Sequence, residues 1–468
     1  MAGGAGPIGV NTNTNFLRGR QLIWPLSLVI SLFFLWGFSY GLLDVLNKHF
    51  QTVLKISRLE STGLQVMYFG GGYFFWSPVA AEVLRRRGYK FTIIMGLCFY
   101  AIGAVFFWPT AHFTSADHRL SSYGGFLACT FIIACGLATL ETSANSYAVV
   151  IGDPASASAR LQFCQSWNGV ASFIGPLIAS KFFFTGENQN NLTNVQYVYL
   201  AVACAGAAVA VLFAFSKLPE VSEPVFDEDS PDLPDIGPLR KQYNMIFAFG
   251  AQFCYVGAQV TIASFFLNYV TENSTIPTNT ASQYLSYSLI IFTIGRFFAT
   301  ALATIFQADF LLTVYTLIAI VINCIILATK GKGGVGALMA IFFLESPMYP
   351  TIFTLGTANL GRHTRRGAGI LVMGVAGGAV FPPIQGAIAD NVNTRVSYVV
   401  PLVGFIYVLG YAAFHWVRSG RHVLRVKDVA MVPNRASLTQ LEKSGSGASG
   451  GGAYEKNNNV SVNYTEHA

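Results

Sequence analysis

The sequence predicts an all-α membrane protein of about twelve spans in two six-helix halves, with both termini cytoplasmic. Three observations carry this. Only 11% of the 468 residues are charged, 53% are hydrophobic and the mean hydropathy is +0.49, whereas soluble domains carry about 25% charged residues. Apolar windows of the roughly 20 residues needed to cross hydrocarbon recur along the whole chain. The longest internal hydrophilic segment, residues 217–241, divides those windows six and six.

The windows lie near 24–45, 64–84, 91–110, 124–150, 164–185 and 197–216 in the first half. In the second they lie near 243–269, 284–305, 309–329, 334–356, 367–389 and 397–417. The segment between the halves, KLPEVSEPVFDEDSPDLPDIGPLRK, is rich in proline and acids and reads as a linker. The chain thus parses as an N-terminal tail (1–23), a first half (24–216), a linker (217–241), a second half (242–417) and a tail (418–468). That last tail turns Ser/Gly/Asn-rich and predicts disorder beyond about 435. The N-terminus has no charged n-region before an apolar core, so the first span predicts an uncleaved signal anchor.

Charge placement sets the expected orientation. Arg18, Arg20, Arg85, Arg86, Arg87, Lys90, Arg160, Arg240, Lys241, Arg362, Arg365, Arg366, Arg418, Arg421 and Arg425 fall on one side. Lys55, Arg58, Arg119, Lys330 and Lys332 fall on the other. Basic residues favour cytoplasmic loops. The glycosylation sequons at Asn191 and Asn273 then lie outside the cell, and those at Asn459 and Asn463 in the cytoplasmic tail. The net charge of +7 is spread over these short loops, which argues against a nucleic-acid partner. The seven cysteines all lie in apolar segments with neither zinc nor disulfide spacing, and read as packing residues. There is no Walker A, HExxH or GxSxG motif, so neither an enzyme nor a cofactor is expected.

An internal echo relates the halves. Arg160 is followed by Gly169-Val170-Ala171 and Gly175-Pro176; Arg365 is followed by Gly374-Val375-Ala376 and Pro382-Pro383. Both open the fifth span of their half, as in transporters built from parallel repeats with the site between them.

The candidate site residues are polar groups inside spans. An ionisable group within the membrane is a functional hypothesis by default, because charge there is costly. Asp44 follows the uncharged run 32–43 and reads as a carboxyl that titrates or hydrogen-bonds a polar solute; an i, i+4 salt bridge with Lys48 at the helix end is the plainer alternative. Glu141 has no basic residue three or four positions away and is a candidate proton carrier, with Asn145 on the same face. A permanently neutral acid bonded to a neighbouring helix is the alternative. Gln165 and Asn168 share a face of span five, and Gln252, Tyr255 and Gln259 a face of span seven. Amide stripes beside aromatic rings suit a sugar's hydroxyls and C–H faces; interhelical hydrogen bonding is the competing use. Arg296 reads as a residue near a cytoplasmic helix end that snorkels or pairs with a loop acid. Glu345 is a third acid in an apolar run, either a second titrating group or a vestibule residue. Pro347, Pro350, Gly377, Gly378, Pro382 and Pro383 predict bent helices.

The segments 33–51, 136–152, 160–170, 251–260 and 349–383 together resemble the fucose–proton symporter family of the major facilitator superfamily, in particular its fungal sugar porters. Residues 82–90, EVLRRRGYK, are similar to a degraded form of the superfamily's loop signature. The resemblance implies that Asp44 belongs to the sugar site, that Glu141 is tied to proton coupling, and that Gln165, Asn168 and Tyr349 line the cavity. Asp44 is also counted with Glu141 among the proton-coupling acids. Gly41, where the bacterial fucose porter has an asparagine, and Glu345 depart from the pattern.

The function expected is proton-coupled monosaccharide symport, of L-fucose or a related hexose, by alternating access in the plasma membrane and as a monomer. A uniporter without proton coupling and a non-transporting sugar sensor are the rivals.

Overall fold

The computed structural model describes residues 17, 19–53, 63–113, 119–183, 193–219 and 237–425, with the side chains at 40, 42–53, 119–121, 176, 179–183, 193–196, 278–279 and 362 outside that description. Among the described residues the fold is helical, apart from one isolated bridge between Phe306 and Leu424. The first half comprises α1 (Arg20–Val53), a π-helical stretch Val66–Phe75, α2 (Trp76–His112), α3 (Arg119–Val150), α4 (Ala157–Phe183) and α5 (Thr193–Phe215). The second comprises α6 (Tyr243–Ser264), α7 (Phe266–Asn273), α8 (Thr278–Ile305), α9 (Ala308–Ala328), α10 (Lys332–Glu345), α11 (Met348–Thr357), α12 (Thr364–Met373), α13 (Gly377–Asn391), α14 (Thr394–Ser397) and α15 (Val399–Arg418).

Ten segments among the described residues are long and apolar enough to cross a bilayer. One of them, Gly63–His112, is two spans, because Gly88 interrupts it at φ 79° and ψ 179°. Such a φ suits a residue without a Cβ, and it turns the chain at the RRRGYK loop. The polar α4 is also long enough to cross, at about 1.5 Å per residue, and completes the expected twelve. Spans seven, ten and eleven are each broken. The tenth gives way at Ser346-Pro347, between α10 and α11, and the eleventh passes through a 3₁₀ turn at Gly374–Ala376. The last two are where the prolines and glycines predict bends; the break of span seven at Phe265 has no such residue.

The chain is a multi-pass membrane protein. Large apolar side chains such as Ile102, Phe106, Val211, Phe215, Ile294, Phe298, Val321 and Ile406 are exposed on its flanks, where lipid is their natural solvent. Burial grades inward: 83% of the most apolar window in Lys332–Thr357 and 67% in Ser122–Val150 are buried, against 28% in Tyr197–Phe215. The tenth and fourth spans are therefore central. In the first half α2 packs on α3 and α5, and α1 on α4; in the second α6 packs on α13 and α15, and α9 on α10 and α15. Small residues let the backbones close up, as is usual between membrane helices. At Gly136 an added Cβ would lie 2.6 Å from Tyr100 N and 2.7 Å from the Gly96 carbonyl.

The halves meet along α4–α8, α4–α11 and α2–α12. One end of the bundle gathers the basic loops. There Lys90 Nζ donates to the carbonyls of Ala214 (2.8 Å) and Ser216 (3.0 Å), and Tyr147 to Pro219 O (2.8 Å). His363 Nε2 lies 3.0 Å from the Gly237 carbonyl. Both ends of the linker are thus held at this face; its residues 220–236 lie outside the described part, as does the tail beyond 425.

Candidate functional site

The polar centre is built on α3, whose face Thr139, Glu141, Thr142, Ser143, Asn145 and Ser146 is buried throughout. Glu141 is 1% exposed, and its Oε1 accepts a hydrogen bond from the Tyr349 hydroxyl of α11 in the other half. Its Oε2 has no hydrogen-bond partner. Asn145, one turn on, donates to the Tyr349 hydroxyl at 3.4 Å and accepts from Gln165 Nε2 at 3.3 Å. Glu141, Asn145, Gln165 and Tyr349 are therefore joined in one buried hydrogen-bonded chain.

The network continues to a residue read differently from the sequence. Arg296 does not snorkel to a helix end: it lies inside α8, is 4% exposed, and turns its guanidinium into the centre. Its Nη1 donates to the Gln165 carbonyl (2.5 Å), Gln165 Oε1 (3.2 Å) and Asn168 Oδ1 (2.9 Å). The group sits 4.5 Å over the Phe292 ring. Asn168 Nδ2 in turn donates to the Phe33 carbonyl of α1 at 3.2 Å. The physical reason is cost. A guanidinium at membrane depth needs acceptors, and the α4 amides supply them. A lone arginine in SLIIFTIGRFFAT carries the same functional presumption as a lone acid, but its depth in the membrane depends on where the helix begins.

Gln165 and Asn168 are thus fully engaged by protein partners. Gln252 of α6 is different. It is completely buried, yet neither its Oε1 nor its Nε2 has a hydrogen-bond partner. Gly374 leaves room for it, since a Cβ there would come within 3.0 Å of Gln252 Cβ. Tyr255, one turn on, donates to the Glu345 carbonyl at 2.9 Å. Gln259 continues the stripe but is only half-buried. The rings of Trp36 and Tyr255 flank Tyr349, with centroids 6.4 Å and 6.5 Å from it. Nothing in the sequence reading marked Trp36.

Gln162 adds a second tie across the halves, donating to Pro347 O and Thr351 Oγ1, both at 2.9 Å. At the basic end, Glu82 accepts from Arg366 Nε across the halves (3.0 Å), and from Arg85 (2.6 Å) and Arg86 (2.7 Å) in its own. Arg365 stacks 4.9 Å over Tyr89 and donates to the Leu84 carbonyl at 3.3 Å.

Asp44 lies on α1, but its side chain, like that of Lys48, falls outside the described residues, and so does Asn191. Asn273 ends α7 half-buried, its Nδ2 donating to the Tyr269 carbonyl at 3.0 Å.

No family model matches the chain. A glucose/galactose transporter of Brucella abortus biovar 1 (strain 9-941) is 31% identical over 388 residues, covering 81% of this chain and 91% of that protein. The L-fucose-proton symporter of Escherichia coli (strain K12) is 31% identical over 426 residues, covering 85% and 94%. The crystal structure of FucP, a major facilitator superfamily transporter, in the outward conformation superposes with a TM-score of 0.72 at 30% identity, covering 84% of this chain and 98% of that one.

Proposed function

Because this chain belongs to the fucose–proton symporter family of the major facilitator superfamily, we propose that it carries a monosaccharide across the plasma membrane together with a proton. L-fucose, glucose and galactose are the first candidates, after the names of its relatives. One observation carries the reading. Glu141 of the first half takes its hydrogen bond from Tyr349 of the second, so its protonation is linked to how the halves sit.

In this reading both termini and the linker are cytoplasmic, and the Glu82–Arg366 end is the inner gate, closed here. Sugar enters from outside. Its hydroxyls meet Asp44 and the unpartnered amide of Gln252, with Tyr255, Gln259 and Tyr349 beside them, while Trp36 and Tyr349 present ring faces to its C–H groups. Gln165 and Asn168 reach the sugar only as Arg296 yields them. A proton on Glu141 accompanies the sugar. It removes a buried unpaired charge that would oppose closure of a dry cavity. The halves then rock, the inner gate opens, and sugar and proton leave. The chain acts as a monomer.

Uptake of radiolabelled L-fucose, glucose, galactose and fructose into proteoliposomes, with and without an inward proton gradient, tests this. Accumulation of one sugar above equilibrium only with the gradient is the expected result. Equilibration that ignores the gradient would leave a uniporter and reduce Glu141 to a structural acid.

A further inference from the structure

Glu345 is used by nothing described so far. It is completely buried, and neither carboxyl oxygen has a hydrogen-bond partner. Among the described residues it has no ion pair. It closes α10 where the tenth span breaks, just ahead of Ser346 and Pro347. Among the titratable and charged groups on the elements around it are Tyr255 of α6, Tyr269 of α7, Arg296 of α8, Asp309 and Tyr315 of α9, Tyr349 of α11 and Tyr398 before α15. None of them makes a hydrogen bond to its carboxyl. Tyr255 bonds the backbone of Glu345 and not its carboxyl, Tyr269 donates to Ile326 O, and Tyr349 to Glu141. Arg296 serves α4, and Asp309 accepts from Ser419 and from Phe310 N. Tyr315 and Tyr398 make no hydrogen bond through their hydroxyls.

A carboxylate in such a place has neither counter-charge nor donor, so the group is carried here with its proton. Its position is not arbitrary. The spacing that relates Arg160 to Arg365 and Gly169 to Gly374 carries Glu141 onto Ser346, the immediate neighbour of Glu345. The fourth and tenth spans are equivalent in the two halves and both are largely buried. The two acids are also joined through rings: Tyr349 bonds Glu141, Tyr255 lies 6.5 Å from Tyr349, and Tyr255 bonds the backbone of Glu345. A helix break gives the Glu345 segment freedom to move when the halves rock.

We propose that Glu345 is a second proton-exchanging site, the counterpart of Glu141 in the C-terminal half, so that two protons cross with each sugar. The inference rests on the proton-coupled reading above. Glu345 holds its proton in the described arrangement and gives it up once rocking opens the tenth-span break to water. No bond other than O–H forms or breaks, and the proton passes to water on the inner side.

The test is the sugar accumulation ratio at zero membrane potential against the imposed pH difference. Wild-type protein is expected to reach about 100-fold per pH unit, as two coupled protons require, and Glu345→Gln about tenfold, as one requires. Sugar counterflow without a gradient should survive in Glu345→Gln, since glutamine matches the neutral acid in shape. A wild-type ratio of about tenfold per unit overturns the second site and leaves the symporter standing. So does a Glu345→Gln ratio equal to wild type. A wild-type ratio that ignores pH overturns the symport reading itself, and this proposal with it. Should Glu345→Gln fail to reconstitute, infrared spectra of Glu141→Gln near neutral pH decide. A remaining protonated-carboxyl band that is lost on adding Glu345→Asn supports the site, and absence of any such band overturns it.

Discussion

Arg296 of the second half donates to Asn168 Oδ1 of the first at 2.9 Å, and the same nitrogen serves both the carbonyl and the side chain of Gln165. The cation therefore pins the α4 amides. Hydrogen bonds to a charged group are worth about 1.5–3 kcal/mol each, so the pin is a substantial part of what holds α4 against α8. Lysine places a point charge where a planar fork is needed. Arg296→Lys is expected to slow sugar counterflow at least about tenfold, converting roughly 1.4 kcal/mol of lost interaction, with expression preserved. Counterflow at the wild-type rate would show that the pin plays no part in transport.

Tyr349→Phe removes the hydroxyl that joins Glu141 to Asn145. The ring, and with it the contacts to Trp36 and Tyr255, stays. Loss of one such bond costs on the order of 1 kcal/mol. Sugar affinity measured by calorimetry is expected to fall about fivefold, and gradient-driven accumulation to fall further than counterflow does. Equal falls in both would detach the hydroxyl from coupling.

These two residues also mark how far the sequence can be read. The twelve spans and their division were legible because apolar length and the 217–241 break are local properties. Glu141 was legible because an acid with no cation within a helical turn stands out in any apolar run. Arg296 was not, because a lone cation can snorkel when it lies near a helix end, and its depth depends on where α8 begins. Whether an amide is free or engaged was equally hidden. Gln252 and Gln165 look alike in sequence, and partners far away in the chain, Arg296 131 positions on and Asn145 20 positions back, distinguish them. The π-helical stretch Val66–Phe75 left no mark in hydropathy, since an α-helix would satisfy the same apolar run.

Packing at Gly136 allows a prediction independent of function. A methyl group there meets backbone atoms of α2 at 2.6–2.7 Å, whereas one at Gly124 meets nothing within 4 Å. Overpacking costs about 1–3 kcal/mol. Gly136→Ala is expected to lower the melting temperature of the purified protein in detergent by several degrees, with Gly124→Ala unchanged. Matching melting curves for the two variants would mean that α2 and α3 are not packed as described.

Glu141→Gln and Asp44→Asn separate coupling from binding. Glutamine keeps an acceptor for Tyr349 but cannot exchange a proton. Counterflow is therefore expected within about threefold of wild type, with accumulation lowered to at most the roughly tenfold per pH unit that a single remaining coupled proton supports, as for removal of a group acting only in the coupled step. Asp44→Asn is expected to weaken sugar binding about tenfold or more, the loss of a charge-assisted hydrogen bond. Complete loss of sugar binding in both variants would end this division of roles.

The Glu82–Arg366 pair tests the gate. Its side chains are 30% and 42% exposed, and exposed pairs are worth only about 0–1 kcal/mol. Glu82 nevertheless collects three arginines, one of them from the opposite half, and that one is the contact a gate must break. An equilibrium between open and closed shifts by about fivefold for 1 kcal/mol. Glu82→Gln should thus increase labelling of a cysteine placed in the inner vestibule by a membrane-impermeant thiol reagent about twofold to fivefold. Arg366→Gln should do the same, and the double variant should add little, because either substitution alone already removes the tie. Additive increases would mean the two residues act separately, and the cross-half contact would then be incidental to closure.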